Sequence, residues 1–395
     1  MRRWVILVLT LVLCMIPAAA LDGETVPGWD GLWDQAEDYG VTRDTGLEGG
    51  LSQLAAQGLE QLKKLAGRSI ATGVKLLAVV LVLFAANQAD FFTVYGPQST
   101  FNQVITLCIA ALGQTVIVLT SGIDLSVGNL IIFTNCVAAT IYMPVTNALG
   151  GSIVVGGAAT IVIVLLVGVL AGLFNGCMVV YGRLQPIVVT LATGSIFSGL
   201  ARYVRPTPGG DVPSEFARFF TGRIFGVFPM SALILLLAIF LIWIPYRKSR
   251  AGQALYAIGG NEKAAFLNGI KINRSKLIAY SIAGLCAAIC GVLLTAQTRS
   301  GDPTAANNFT NNSIAAAVLG GASLAGGKGS YFGSIAGAMI LSLIVGLLIF
   351  WGISSYYQNL VQGIILILAL SVGFFTEFFK QKRERAQAVA GKEAN

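Results

Sequence analysis

Apolar runs of about 17–25 residues recur along this chain, the length of helix needed to cross ~30 Å of hydrocarbon. No other feature limits the fold so strongly. Lipid offers no hydrogen bonds to loose backbone groups, so repeated runs of this length commit a chain to membrane-spanning helices. Composition agrees: only 11% of residues are charged, against roughly 25% in a soluble domain. The expected fold class is all-α, a polytopic membrane protein. About ten spans can be placed, at residues 70–88, 101–120, 124–144, 152–181, 186–204, 227–245, 275–297, 312–325, 330–351 and 356–379.

Charge orients these spans, because Lys and Arg accumulate on cytoplasmic loops. If the first span starts inside, then Arg183, Arg247, Lys248, Arg250, Lys328 and the tail 380–395 all fall inside. Loops 205–223 and 299–311 fall outside, and Arg218 and Arg223 there run against the statistical trend. The net charge of +8 thus reads as topology rather than as a nucleic-acid surface. Residues 246–276, YRKSRAGQALYAIGGNEKAAFLNGIKINRSK, form a long polar island between apolar spans. Arg247, Lys248 and Arg250 at one end, with Arg274 and Lys276 at the other, mark it as cytoplasmic. Its composition suits a short helix entered through Gly259-Gly260, and such a loop suits docking better than mere connection.

Residues 1–69 form an N-terminal extension to the permeation unit expected over 70–379. Arg2 and Arg3 precede the apolar stretch Trp4–Ile16, and Pro17 with Ala18-Ala19-Ala20 resembles a cleavage site. A cleaved signal and an uncleaved short helix both fit. Residues 22–49 carry eight acidic side chains against one arginine, the makeup of a loop with little core-forming power. Residues 51–65 place Leu51, Leu54, Ala55, Leu59, Leu62 and Leu65 on one face, as in an amphipathic helix lying at a membrane interface. A crossing by residues 1–20 would conflict in parity with the charge pattern of the later spans.

Several chemistries are excluded. The chain has no histidine, which removes the commonest general base and metal ligand. Its six cysteines (Cys14, Cys108, Cys136, Cys177, Cys286, Cys290) lie in apolar runs without metal or redox spacing. No phosphate-binding G-x-x-x-x-G-K-[ST] loop occurs, and Gly326–Ser330 (GGKGS) lacks that spacing. No catalytic residue, metal or bound cofactor is expected.

Two breaks interrupt the apolar runs. Residues 120–129 form a polar elbow containing Gly122, Asp124 and Gly128, where the carboxylate can cap the next helix. Residues 319–329 are rich in glycine. Breaks at membrane depth line a cavity or pack against protein, and small residues also allow close helix contact. Neutral polar side chains within the spans suit a hydroxyl-rich solute. They are Gln114, Asn135, Asn175, Gln185, Thr190, Thr193, Asn359 and Gln362, each of which could equally tie helices together.

The elbow LTSGIDLSVGN, then GRLQPIVVTLATGSIFSGLARYV, AIGGNEKAAFLNGI, IAAAVLGGASLAGGKGS and SSYYQNLVQG occur in this order. Together they resemble the permease subunits of ribose-type ABC importers over about residues 70–379. The resemblance implies about ten helices per subunit in a homo- or heterodimeric pore of the bacterial inner membrane. It implies a periplasmic binding protein that delivers a monosaccharide and a separate cytoplasmic ATPase on which ATP acts. It also implies that Gly259, Gly260, Asn261, Glu262, Lys263, Ala264 and Ala265 form the segment coupled to that ATPase. Thr310-Asn311-Asn312 stands where the family often has an acidic stretch. An ion-gradient-driven secondary transporter is the competing class, although such proteins tend to carry intramembrane carboxylates or histidines. Here only Asp124 lies near a span break.

Overall fold

The computed structural model describes residues 68–87, 95–224, 228–305 and 308–354, together with 357, 360–364 and 367. The chain divides into two units, Met1–Leu76 and Leu77–Asn395. The features expected over residues 1–67, the tail 380–395 and Asn359 lie outside the described residues.

Helix α1 (Arg68–Asn87) is followed by α2 (Tyr95–Val118), α3 (Val127–Ala148), α4 (Ile153–Val180) and α5 (Pro186–Val204). A short helix, α6 (Ser214–Thr221), and the antiparallel two-residue strands β1 (Arg223–Ile224) and β2 (Phe228–Pro229) lead into α7 (Met230–Lys248), which is π-wound at Ala238–Trp243. Then come α8 (Arg250–Gly260), α9 (Glu262–Leu267), α10 (Ile272–Thr298), α11 (Phe309–Leu319) and α12 (Tyr331–Phe350). Seven of these, α2 to α5, α7, α10 and α12, are long and apolar enough to cross a membrane among the described residues. The protein is a polytopic all-α membrane protein, and ten spans was an approximate count.

One expected span is not a span. The segment 312–325 falls on α11, whose 11 residues extend only about 16 Å at 1.5 Å per residue. Glycine stops it: Gly320 packs against the backbone of Gly333, and Gly321, Gly326, Gly327 and Gly329 all adopt positive φ, where a Cβ would strain the chain. Helix α3 starts at Val127, so Asp124 lies in the turn before it. Of the last expected span, residues 360–364 are described and helical.

Helix α10 packs against α2, α3 and α4. Its contact with α4 is backbone against backbone: a Cβ added at Gly168 or Gly172 would collide with the Gly284 or Tyr280 carbonyl oxygen. Small residues spaced four apart let helices approach this closely where lipid supplies no hydrophobic drive. Helix α2 is the buried centre, with 83% of its apolar window covered, against 28% for α4. The free side of α4 and α5 presents Leu166, Leu170, Leu191 and Ile196 outward, as a lipid-facing surface requires.

The bundle has two polar ends. At one, residues Gly209 and Gly301 pair as an antiparallel bridge, Arg299 Nε donates to the Val212 carbonyl at 3.3 Å, and Gln98 and Asn102 donate to the Thr221 carbonyl at 2.7 and 2.9 Å. At the other, the α2–α3 elbow meets α8 and the α11–α12 loop. The basic residues Arg247, Lys248 and Arg250 lie toward this second end, the charge bias expected of a cytoplasmic side.

Candidate functional site

The polar island folds as a compact two-helix projection. Ser249 Oγ accepts from the Gly252 N–H at 3.1 Å and starts α8. Asn261 Oδ1 accepts from the Ala264 N–H at 3.0 Å and starts α9, satisfying donors that the first helical turn leaves free. Gly259-Gly260 therefore ends α8 rather than opening a helix, because Asn261 supplies the stronger start signal one residue later. At the far end Asn268 Nδ2 donates back to the Ala264 carbonyl at 2.8 Å, and Gly269 turns the chain with φ of 76°.

Ala265 turns inward against Ala254, Ile258, Ile270 and Ile272, so it pins α9 to α8 and is not part of the outer surface. Glu262 pairs with Lys276 Nζ at 2.8 Å, tying α9 to the first turns of α10. The Glu262 side chain is half exposed, so this pair is worth only about 0–1 kcal/mol. The outward face carries Lys263, Ala264, Phe266 and Leu267. Phe266 is 70% and Leu267 83% exposed, large apolar side chains left bare on a polar projection. Sequence reading missed these two. Their apolar character within a charged loop was visible, but not which way the short helix would face.

Under this projection lies a tight joint. Gly259 sits so close to the Leu119 carbonyl and the Gly327 amide that no Cβ fits. Gly327 N–H donates to the Leu119 carbonyl at 3.1 Å, and Tyr256 Oη donates to the Gly329 carbonyl at 3.1 Å. Burial pushes the Tyr256 phenol above its ordinary pKa, with Arg247 pulling weakly the other way.

The elbow gathers part of the expected pathway set. Asp124 Oδ1 accepts from both the N–H (2.8 Å) and Oγ (2.6 Å) of Ser126, closing a local turn instead of capping α3. Gly128 N–H is met by Thr310 Oγ1 at 3.0 Å, which ties the start of α3 to the first turn of α11. Asn175 Nδ2 donates to Ser126 Oγ at 2.9 Å, and Thr190 Oγ1 accepts from the Leu125 N–H at 3.0 Å. Gly122 packs on Ile117. Thr193 is buried one turn along from Thr190, its hydroxyl 3.4 Å from the Thr190 carbonyl.

The remaining candidates are scattered. Asn135 uses its whole amide: Nδ2 donates to Thr295 Oγ1 (2.8 Å) and the Ser300 carbonyl (3.0 Å), and Oδ1 accepts from the Asp302 N–H (2.9 Å). Gln114 is fully buried in α2 with neither amide atom hydrogen-bonded. Gln185 is exposed at the start of α5, and Gln362 is partly buried. Among the described residues no cluster of His, Cys, Asp or Glu could hold a metal ion.

The chain has relatives among known proteins. Residues 97–370, more than half of the chain, match the family described as branched-chain amino acid transport system / permease component. The chain belongs to that permease family. The permease is 36% identical to the ribose import permease protein RbsC of Escherichia coli (strain K12) over 75% of this chain and 91% of that protein. It is 34% identical to the Bacillus subtilis (strain 168) ribose import permease protein over 74% and 89%. It is 30% identical to the D-allose transport system permease protein AlsC of Escherichia coli (strain K12) over 75% and 89%. No solved structure matches. The permease is thus a multi-pass inner-membrane transport component.

Proposed function

We propose that this permease is the membrane-spanning subunit of an ATP-binding-cassette importer for a monosaccharide. A cytoplasmic ATPase docks on α9, a binding protein delivers the sugar at the opposite end, and a second permease subunit completes the pathway within the lipid. The observation that carries the docking is the bare Phe266–Leu267 pair on a capped, braced helix. An apolar pair of this kind fills a groove in a partner, and Glu262, Lys263 and Ala264 beside it supply polar contact. ATP acts on that partner, since this chain has no phosphate loop.

The family description and the relatives' names differ in cargo, and two observations favour sugar. The relatives aligned over most of their length are named for ribose and allose import. Among the described residues Asp124 is also the only buried Asp, Glu, Lys or Arg. A sugar needs neutral hydrogen-bonding groups in its path, and these are what the buried polar side chains supply.

The test is purification from mild detergent, followed by D-ribose uptake into proteoliposomes with the sugar-binding protein supplied outside. A stoichiometric ATPase should co-purify with the wild type, and uptake should require internal ATP. Phe266→Asp/Leu267→Asp should lose the ATPase while the permease keeps its melting temperature. Uptake without ATP that collapses with an uncoupler would instead make this a secondary transporter.

A further inference from the structure

Ser121 has φ of 61°, a left-handed conformation that glycine would adopt at lower cost. Its side chain accounts for a serine here. Ser121 Oγ donates to the Ala325 carbonyl at 2.7 Å and lies 3.3 Å from the Gly259 carbonyl. It therefore touches, from the cytoplasmic end of α2, both the last turn of the coupling segment's first helix and the loop that separates α11 from α12. The same three segments are fused around it by glycine. Gly326 abuts Ser121 so closely that its Cβ would collide with Ser121 Oγ, and Gly259 abuts Leu119 and Gly327 in the same way. Gly326 and Gly327 have φ of 86° and 69°, so neither place is open to an ordinary side chain without strain. Tyr256 Oη on Gly329 closes the joint from the other side.

We propose that Ser121, Gly259 and the Gly326–Gly327 turn form a rigid three-way joint. It carries movement of α8–α9 directly into the α2–α3 elbow and the α11–α12 turn, and Ser121 is a positioning residue for coupling. The inference rests on the docking of an ATPase at α9. Three routes leave α9: the Glu262–Lys276 pair and the packing of Ala265 on Ile270 and Ile272, both into the start of α10, and, through α8, this joint. The pair is built from long side chains with Glu262 half exposed, and both it and the Ala265 packing lead only into α10. At the joint, by contrast, Gly259 packs backbone on backbone against Leu119 and Gly327 with little slack to absorb a displacement. Beyond the joint the push reaches two elements with free ends inside the bundle. They are α11, too short to span, and α3, whose start is tied to α11 through Thr310 and Gly128. A displacement at the joint thus moves the starts of α3 and the short α11 together.

The experiment uses the permease purified with its ATPase, reconstituted in liposomes with its sugar-binding protein supplied outside, and D-ribose as probe. Ser121→Gly keeps the backbone conformation and removes the hydroxyl; Ser121→Asn also tolerates that conformation and restores a donor. The expected result for Ser121→Gly is normal ATPase co-purification and continued hydrolysis, with sugar moved per ATP falling at least threefold and recovering in Ser121→Asn. An unchanged ratio in Ser121→Gly would overturn the joint. A second measurement does not depend on that variant's folding: spin labels at Lys263→Cys and Ala325→Cys in an otherwise unaltered joint. Their separation should stay within about 2 Å between nucleotide-free and ATP-trapped states, and a change beyond about 5 Å would overturn rigidity. Absence of any ATPase on wild-type permease would instead refute the docking reading, so the two failures are distinct.

Discussion

Asn135 and Gln114 are both neutral amides in apolar helices, and from sequence they carry the same two possible roles. The structure separates them. Asn135 ties α3 to α10 and to the loop at Ser300 and Asp302, partners more than 150 residues away in the chain. Removing it leaves the Ser300 carbonyl and Asp302 N–H without their partner. Asn135→Leu should therefore destabilise the protein by about 1–3 kcal/mol, read as a lower melting temperature in detergent, with any loss of uptake following from that. Gln114 makes no hydrogen bond in full burial, so it bears a desolvation cost with no return. Gln114→Met should hold or raise the melting temperature, because an unpaired buried amide costs about 1–3 kcal/mol. If both variants melt lower by similar amounts, the contrast between a satisfied and an unsatisfied amide is wrong. The sequence shows that a side chain is polar and lies in a span. Whether it is paired depends on which distant helix faces it.

The same limit acts on whole elements, with different outcomes. Gly168, Gly172 and Gly176 repeat every fourth residue in α4, a period visible in the chain, yet the partner Gly284 belongs to no such repeat in α10, whose other glycine is Gly291. Gly172→Leu should force the two helices apart against the Tyr280 carbonyl. The expected cost is about 1–3 kcal/mol or more, with loss of a monodisperse peak on size exclusion. Gly199→Leu, at a position with nothing near its Cβ, should be tolerated, and equal damage from both would dissociate the effect from the α4–α10 contact. The long spans were legible because their length is fixed by bilayer thickness. The α11 half-helix was not, since residues 312–325 are apolar enough to imitate a span and only glycine conformation ends it. The α8–α9 projection was legible as a polar island but not as a surface. The capping strength of Asn261 was readable, whereas the inward turn of Ala265 and outward turn of Phe266 and Leu267 follow from packing on Ile270 and Ile272.

At the scale of the molecule, orientation is what gives both polar ends their meaning. Arg218 and Arg223 lie at the end assigned to the outside, against the statistical preference for cytoplasmic cations. Each has a local partner there. Arg218 pairs with Glu215 at 2.9 Å, and Arg223 lies 4.4 Å from the Tyr95 ring centroid, a cation–π arrangement. Hydrogen bonds from its own backbone N–H and from Ser214, with Arg218 beside it, hold the Glu215 carboxyl below its ordinary pKa, so it stays ionised as a partner. The opposing end has Arg247, Lys248 and Arg250 together on α7 and α8. A charge that is paired on the spot contributes little to the asymmetry that sets topology, so the α7–α8 cluster decides. Cysteines introduced at Lys263 and Arg218, in a background where Cys14 and the half-buried Cys177 are Ala, should then label oppositely with a membrane-impermeant maleimide. Arg218→Cys should react in spheroplasts and Lys263→Cys only in inside-out vesicles. Reversed labelling would put α9 in the wrong compartment to meet an ATPase. It would leave the helical bundle intact but remove the coupling role from α9 and from the joint beneath it.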